Sequence, residues 1–268
     1  MDDGSRPIEE YVTWAIEHNF DALGFSCHTP VPYEDDWHLA QHDLQKYFDE
    51  IKRLKKEYVH DVELYTGLEL DYADDRKELL GSEFQDRVDY VIASVHMFRD
   101  ADGEGYLSFD GPETELQMLL DRNFENDGRR MAEAYYHCLC EMMDRHTFDI
   151  LGHIDLIKKR NRHNRFFDQT QGWYRDAALQ ALEAAARNHV RLEVNTGGIA
   201  RGAIDEPYPA VWMLKHCKEL GIRLVLSADA HRPQDLMCAF DTTLSHIRDA
   251  GYRELDVLYG GKWITTDI

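Results

Sequence analysis

Asp229 and His231 stand two residues apart at the end of the stretch R-L-V-L-S-A-D-A-H, residues 223–231. The run opens with apolar Leu224, Val225 and Leu226 after Gly221, a short strand signal. In extended backbone, residues i and i+2 share a face, so this strand end is expected to present a carboxylate and an imidazole together. That is a usable pair for a divalent ion. The same ending recurs along the chain. D-A-L-G-F-S-C-H closes on His28, V-E-L-Y-T-G-L-E-L carries Glu69, D-Y-V-I-A-S-V-H closes on His96, and F-D-I-L-G-H closes on His153. One such histidine is ordinarily a satisfied core side chain. Repetition at five strand ends predicts a metal centre. Imidazole and carboxylate without thiolate suit zinc, iron or manganese, and Glu69, the lone acid among the central strands, is the natural bridge between ions. Cys27 adjoins His28 but faces the other side of its strand and reads as core. Two ions a few ångströms apart activate water and polarise a phosphoryl oxygen, which is the arrangement for phosphoester hydrolysis. The phosphate also needs fixed positive charge. Arg201, in N-T-G-G-I-A-R-G, and the cluster Lys158-Lys159-Arg160 are the candidates. An exposed loop start explains the cluster equally well, whereas the glycines beside Arg201 let backbone approach a ligand.

These residues need a frame, and the chain supplies a regular one. Strands are expected near 22–27, 62–69, 89–95, 148–152, 190–195 and 223–227. Helices are expected at about 7–18, 44–58, 74–86, 113–121, 128–145, 170–188, in a segment ending near 219, and at 234–249. A Gly-rich loop follows His96, and a short terminal strand is expected near Trp263 and Ile264. Strand–helix alternation predicts an α/β fold with a parallel sheet and helices outside. Residues 1–268 read as a single domain, most economically a β/α barrel whose strand C-terminal ends gather the ligands. A doubly wound open sheet is the alternative, though the Gly-rich dinucleotide fingerprint is missing.

Composition sets outer bounds. At 268 residues the chain is long enough for a sizeable core, and its net charge of −21 repels phosphate backbones and anionic lipid. No nucleic acid and no membrane partner is expected. No run approaches the roughly 20 apolar residues of a membrane span, and the N-terminus lacks a signal-peptide pattern. Five scattered cysteines without a CxxC pair suit a reducing cytoplasm.

The motifs G-F-S-C-H, G-L-E-L-D, V-I-A-S-V-H, I-L-G-H-I-D, E-V-N-T-G-G-I-A-R-G and S-A-D-A-H resemble, in order and over nearly the whole chain, those of the PHP (polymerase and histidinol phosphatase) superfamily. G-F-S-C-H-T-P-V-P and G-L-E-L-D-Y are most similar to its histidinol-phosphatase branch. The resemblance implies a distorted seven-stranded β/α barrel with a trinuclear metal centre. It also implies hydrolysis of L-histidinol phosphate, a small phosphate ester of histidine biosynthesis. By motif position it makes His28, Glu69, His96, His153, Asp229 and His231 ligands of two or three ions, with Arg160 and Arg201 as phosphate contacts. The family opens with a strand bearing H-x-H, followed by an acidic residue before Gly. Here Met1-Asp2-Asp3-Gly4 resembles the tail of that motif, which puts Asp3 at the acidic, metal-binding position and leaves the first strand absent. Two sheet edges would then be exposed. A longer true chain is favoured over a strand borrowed from another subunit or a decayed enzyme, because the other six ligands are all kept.

The expected mechanism is direct attack by a metal-bridging hydroxide near Glu69 and Asp229. Arg201 stabilises developing charge, and Asp229 or His231 protonates the leaving alkoxide. No side chain stands out as an activated nucleophile, so no covalent intermediate is expected. Acidic residues at 33–42 and 100–110 are candidates to receive the amine of histidinol. The alternatives are a related phosphoesterase acting on another small ester, and a truncated or non-catalytic metal-binding relative.

Overall fold

The computed structural model describes residues 6–31, 37–103 and 105–268. The first half runs α1 (Ile8–Glu17), β1 (Ala22–His28), α2 (Leu44–Glu57), β2 (Glu63–Ala73), β3 (Glu78–Leu79), β4 (Tyr90–Ser94), β5 (Met97–Arg99) and β6 (Tyr106–Ser108). Helices α3 (Glu113–Phe124) and α4 (Gly128–Arg145) lead to β7 (Ile150–Leu151), α5 (Gly172–Arg187), β8 (Arg191–Asn195) and the single turn α6 (Gly197–Ala200). Then come α7 (Val211–Glu219), β9 (Leu224–Ser227), α8 (Phe240–Asp249) and the hairpin β10 (Glu254–Tyr259) and β11 (Lys262–Asp267).

The parallel strands pair in the order β1-β2-β4-β7-β8-β9, a curled wall of the expected α/β type. Its register aligns the chemistry. His28 lies opposite Glu69 on β2, which lies opposite Ile92 on β4. Period-2 alternation divides each strand between two environments. On β2, Leu64, Leu68, Leu70 and Tyr72 point outward to the helices, and Tyr65, Glu69 and Asp71 point inward. The outer core joins Leu68, Val91, Leu151, Leu192 and Val194 of the sheet to Leu139, Leu182 and Leu214 of the helices. The inner face is graded along the strands. Tyr65, Tyr90, Ile92 and Ile150 pack with Val225 of β9 and with Leu258 and Trp263 of the terminal hairpin, so the lower end of the wall is apolar. The upper end carries the ionisable groups.

Close packing at the lower end depends on Gly67. A Cβ there would sit 2.4 Å from Cζ of Tyr90 on the neighbouring strand. The Tyr90 ring therefore lies across the β2 backbone only because that position has no side chain. Gly67→Ala is expected to cost about 1–3 kcal/mol by overpacking, read as a lowered urea midpoint. An unchanged midpoint would mean that Tyr90 has somewhere else to go.

The first strand that the resemblance describes has no counterpart among the described residues. There β1 pairs only with β2, and β9 only with β8. Between these two edges runs a cavity of about 820 Å³, lined by residues 20–28 and 225–231, Tyr65, Tyr90, Glu193 and the terminal hairpin. Arg6 and Ile8, at the start of α1, also reach it.

Two local expectations are corrected, and the terminal strand is found with a partner. Residues 74–86 do not form a helix: Glu78–Leu79 returns antiparallel to the end of β2, and a 3₁₀ turn covers Ser82–Arg87. Helix α8 begins only at Phe240, after a 3₁₀ turn at Pro233–Asp235 and a left-handed Ala239. The terminal strand is one arm of a two-stranded hairpin, and a second hairpin, β5–β6, follows His96.

Candidate metal centre

Glu69 lies at the middle of the inner face. Its Oε1 accepts a hydrogen bond from Ser94 Oγ (2.6 Å) and lies 3.5 Å from His96 Nε2 and 3.4 Å from His153 Nε2. Its Oε2 lies 3.9 Å from His28 Nε2. The two histidine Nε2 atoms are 3.0 Å apart. Ligands about 2.0–2.1 Å from one ion, at angles between 90° and tetrahedral, are themselves about 2.9–3.4 Å apart. The Glu69–His96–His153 spacing is thus that of a donor set around a cation. His96 is oriented for it, because its Nδ1 meets Asp71 Oδ1 at 2.6 Å and turns Nε2 toward Glu69.

The other rim holds a second group. Arg201, just past α6, donates through Nη2 to Asp229 Oδ2 (2.9 Å) and through Nη1 to the Asp229 carbonyl (3.0 Å), and Nη1 also meets His231 Nδ1 (2.9 Å). The strand alternation expected to pair Asp229 with His231 is not what places them. β9 ends at Ser227, and Asp229 adopts a left-handed φ of 45°. A turn and an arginine gather the pair instead. Asn195 links the two rims, since its Nδ2 donates to Glu193 Oε2 (3.1 Å) and to Asp229 Oδ2 (3.2 Å). Glu193 also accepts the backbone N–H of His153 (2.9 Å). Gly197 leaves room for this: a Cβ there would stand 2.6 Å from Asp229 Oδ2.

The basic cluster 158–160 is more internal than either sequence reading implied. Lys158 is buried and meets Asp155 (2.9 Å), Glu206 (3.2 Å) and the Pro207 carbonyl (2.9 Å). Lys159 pairs with Asp110. Arg160 donates to the carbonyls of Gly111 (2.8 Å) and Asp110 (3.1 Å). These contacts tie the segment after β7 to the segment after β6. Asp3 and residues 33–36 lie outside the described residues, and of the acidic loop 100–110, Asp100 pairs with Arg122.

The electrostatics follow from burial and from neighbours of opposite sign. Burial opposes ionisation of Glu69, but His28, His153 and His96 override it and hold its carboxyl down to about 2. Burial likewise disfavours a charged His153, yet Glu69, Glu193 and Asp229 lift it to about 9. Asp229 is also desolvated, and Arg201 and His231 still hold it well below the usual carboxylate range. In Glu193 burial wins, and its carboxyl is pushed up.

These shifts set an expected pH dependence for the metal-free protein. The Glu69 contribution to stability is full above its ordinary value of 4.5 and fades as pH falls toward 2. The His153 contribution is full below its ordinary value of 6.5 and is lost as pH rises through about 9. Metal-free protein should therefore lose stability between pH 6.5 and 9. Metal-loaded protein should not, because a ligating imidazole is already neutral. Denaturant midpoints measured across that range, with and without zinc, check it.

Sequence reasoning missed Asp71, His38, Glu193 and Asn195, and Asp110, expected as an acid facing the substrate amine, pairs with Lys159 instead. Asp71 was within reach, since it follows Glu69 by two residues on one strand and shares its face. Glu193 and Asn195 carry the same alternation on β8. His38 gave no signal in a loop without periodicity.

Comparison with known proteins adds a family. The PHP domain matches residues 1–197. A Deinococcus radiodurans protein named "Probable histidinol-phosphatase" is 31% identical over 252 residues, covering 91% of this chain and 87% of the relative. The histidinol-phosphatase of Bacillus subtilis is 28% identical over 250 residues, covering 88% of this chain and 91% of its own length. The crystal structure of a histidinol phosphate phosphatase from Lactococcus lactis, complexed with zinc, L-histidinol and phosphate, has a TM-score of 0.70 at 21% identity. That match covers 98% of this chain and 94% of the other, and it establishes a shared fold.

Proposed function

The chain belongs to the PHP domain family, and on that premise we propose that it is a metal-dependent phosphomonoesterase that hydrolyses L-histidinol phosphate to L-histidinol and phosphate. The observation that carries this reading is the convergence of Glu69, His96 and His153 at ligand spacing, with His28 on the far oxygen of Glu69. His153 Nδ1 is buried without a hydrogen-bond partner, as suits an imidazole held by a bond at its other nitrogen. The named relatives at 31% and 28% identity supply the substrate.

In this reading His28, Glu69, His96, His153, Asp229 and His231 hold two or three divalent ions (zinc, iron or manganese), with Asp3 as a further ligand. Bound there, such ions lower the pKa of water and polarise a phosphoryl oxygen. The chain's own groups do the rest. Glu69 carries the negative charge that two facing imidazoles and a cation require. Arg201, 27% exposed at the rim, is read as the phosphate contact that balances charge developing on the oxygens, with Arg160, whose guanidinium also donates to the Gly111 and Asp110 carbonyls, as a second. Asp229 is a poor acid for the leaving alkoxide, because Arg201 holds it ionised, and His231, whose Nδ1 accepts from Arg201, fills that role only where its Nε2 carries a proton instead of an ion.

The whole of residues 1–268 is read as one domain, supported by a hydrophobic cluster that runs from Leu39 to Leu255 without a break between halves. Among the described residues, no helix is long and apolar enough to cross a membrane, and the proposed setting is the cytoplasm.

The test is phosphate release from L-histidinol phosphate with manganese, iron or zinc, beside a panel of sugar, amino-alcohol and nucleotide phosphates. Preference for L-histidinol phosphate supports the proposal. Preference for another ester moves the substrate within the family, and full metal occupancy without hydrolysis of any ester would leave a binding protein. A second arm adds an H-x-H strand ahead of Met1. Activity confined to that arm would show that the cavity between β1 and β9 needs a strand before the site works.

A further inference from the structure

A second group of donors lies on the other side of His28. Asp71 is fully buried on β2, and its carboxylate meets three imidazoles. Oδ1 is taken by His96 Nδ1 at 2.6 Å. Oδ2 lies 2.9 Å from His38 Nε2 and 3.6 Å from His28 Nδ1. His28, His38 and Asp71 each offer a donor atom, all within 4.8 Å of one another. The His38–Asp71 pair is already at the spacing of two donors on one ion about 2.0–2.1 Å away, and the His28 nitrogen has to close in from 3.6 Å to join them. Trp37 closes the group on one side, with its ring edge-on to His28 (centroids 4.9 Å apart) and laid over His38 (3.8 Å). The set lacks thiolate, which suits zinc or manganese over soft ions.

We propose that His38, Asp71 and Nδ1 of His28 form a divalent-cation site distinct from the Glu69–His96–His153 cluster. His38 belongs to the segment between β1 and α2, so an ion there clamps that segment onto β2. The site touches the metal-centre reading at His28, whose Nε2 faces Glu69 and whose Nδ1 faces Asp71. It is also linked there through Asp71, whose Oδ1 holds His96 Nδ1, and filling both sides of His28 at once takes its imidazolate, the ring proton passing to solvent.

The experiment is zinc equilibrium dialysis with elemental analysis on the full chain and on His38→Ala, His38→Gln and His153→Ala, each checked for native circular dichroism. Glutamine still donates to Asp71 but is a poor ligand. Both His38 variants are expected to lose one equivalent of zinc, or to bind it at least about 100-fold more weakly, and to keep the rest. His153→Ala should lose zinc from the other cluster and keep the His38-dependent ion. Unchanged stoichiometry and affinity in His38→Ala would overturn the site. So would full zinc in His38→Gln beside a loss in His38→Ala, since His38 would then only hold Asp71 by a hydrogen bond. Loss of one ion from the His38 variants with none lost from His153→Ala would keep this site and remove the Glu69 centre.

Discussion

Glu69→Gln is expected to lower kcat by about two to three orders of magnitude, which is the scale set by losing a principal electrostatic group in a water-poor site. The substitution is nearly isosteric. The Gln amide oxygen can still accept from Ser94, so the fold and the Tyr65–Tyr90 layer below should stand. The missing element is the charge. His96 and His153 face each other at 3.0 Å beside Glu69 Oε1, and a neutral amide leaves two basic nitrogens and any bound cation without their counter-ion. Metal content should fall with kcat. The His153 imidazole, which Glu69 lifts to about 9, should titrate lower, and the alkaline loss of stability in metal-free protein should flatten. Turnover surviving at more than a tenth of wild type in metal-loaded Glu69→Gln would remove Glu69 from the centre of the scheme.

Arg201→Ala is expected to reduce kcat/KM by about 10²–10³, and Arg201→Lys by less, because lysine keeps the charge and loses the planar fork. Two roles have to be separated. Arg201 holds Asp229 through Oδ2 and the carbonyl and touches His231, so its removal also frees two proposed ligands. A purely positioning arginine predicts lost metal and an unchanged inhibition constant for inorganic phosphate in protein reloaded with excess metal. A phosphate-binding arginine predicts weaker phosphate inhibition at full metal occupancy. The 27% exposure of its side chain, against the near-complete burial of Glu69 and His96, argues for the second.

Much of the site was legible from types and spacing, because strand ends are short and their terminal residues are fixed by the preceding apolar run. His28, Glu69, His96 and His153 converge for that reason. Where backbone leaves regular geometry, spacing misleads. Asp229 and His231 are adjacent as expected, but through a left-handed residue that alternation does not foresee. Arg160 is sequence-adjacent to a ligand strand yet donates to two carbonyls, since a basic side chain near an acidic loop finds backbone oxygens as readily as a substrate. Helix at 74–86 failed because Gly81, at φ 82°, and the left-handed Lys77 break the run into a strand return and a tight turn. Asp71 was overlooked because β2 is longer than its apolar core, continuing to Ala73.

Among the described residues the wall is open between β1 and β9, and this changes how it behaves as an elastic body. A closed barrel is a hoop, and a load at one point is shared around its circumference. Among the described residues this wall is a C, narrowest at the two-residue strand β7. Its lips carry opposite halves of the chemistry, with His28 on one and Asp229, His231 and Arg201 on the other. A group bound across both lips would tie them together as a clasp.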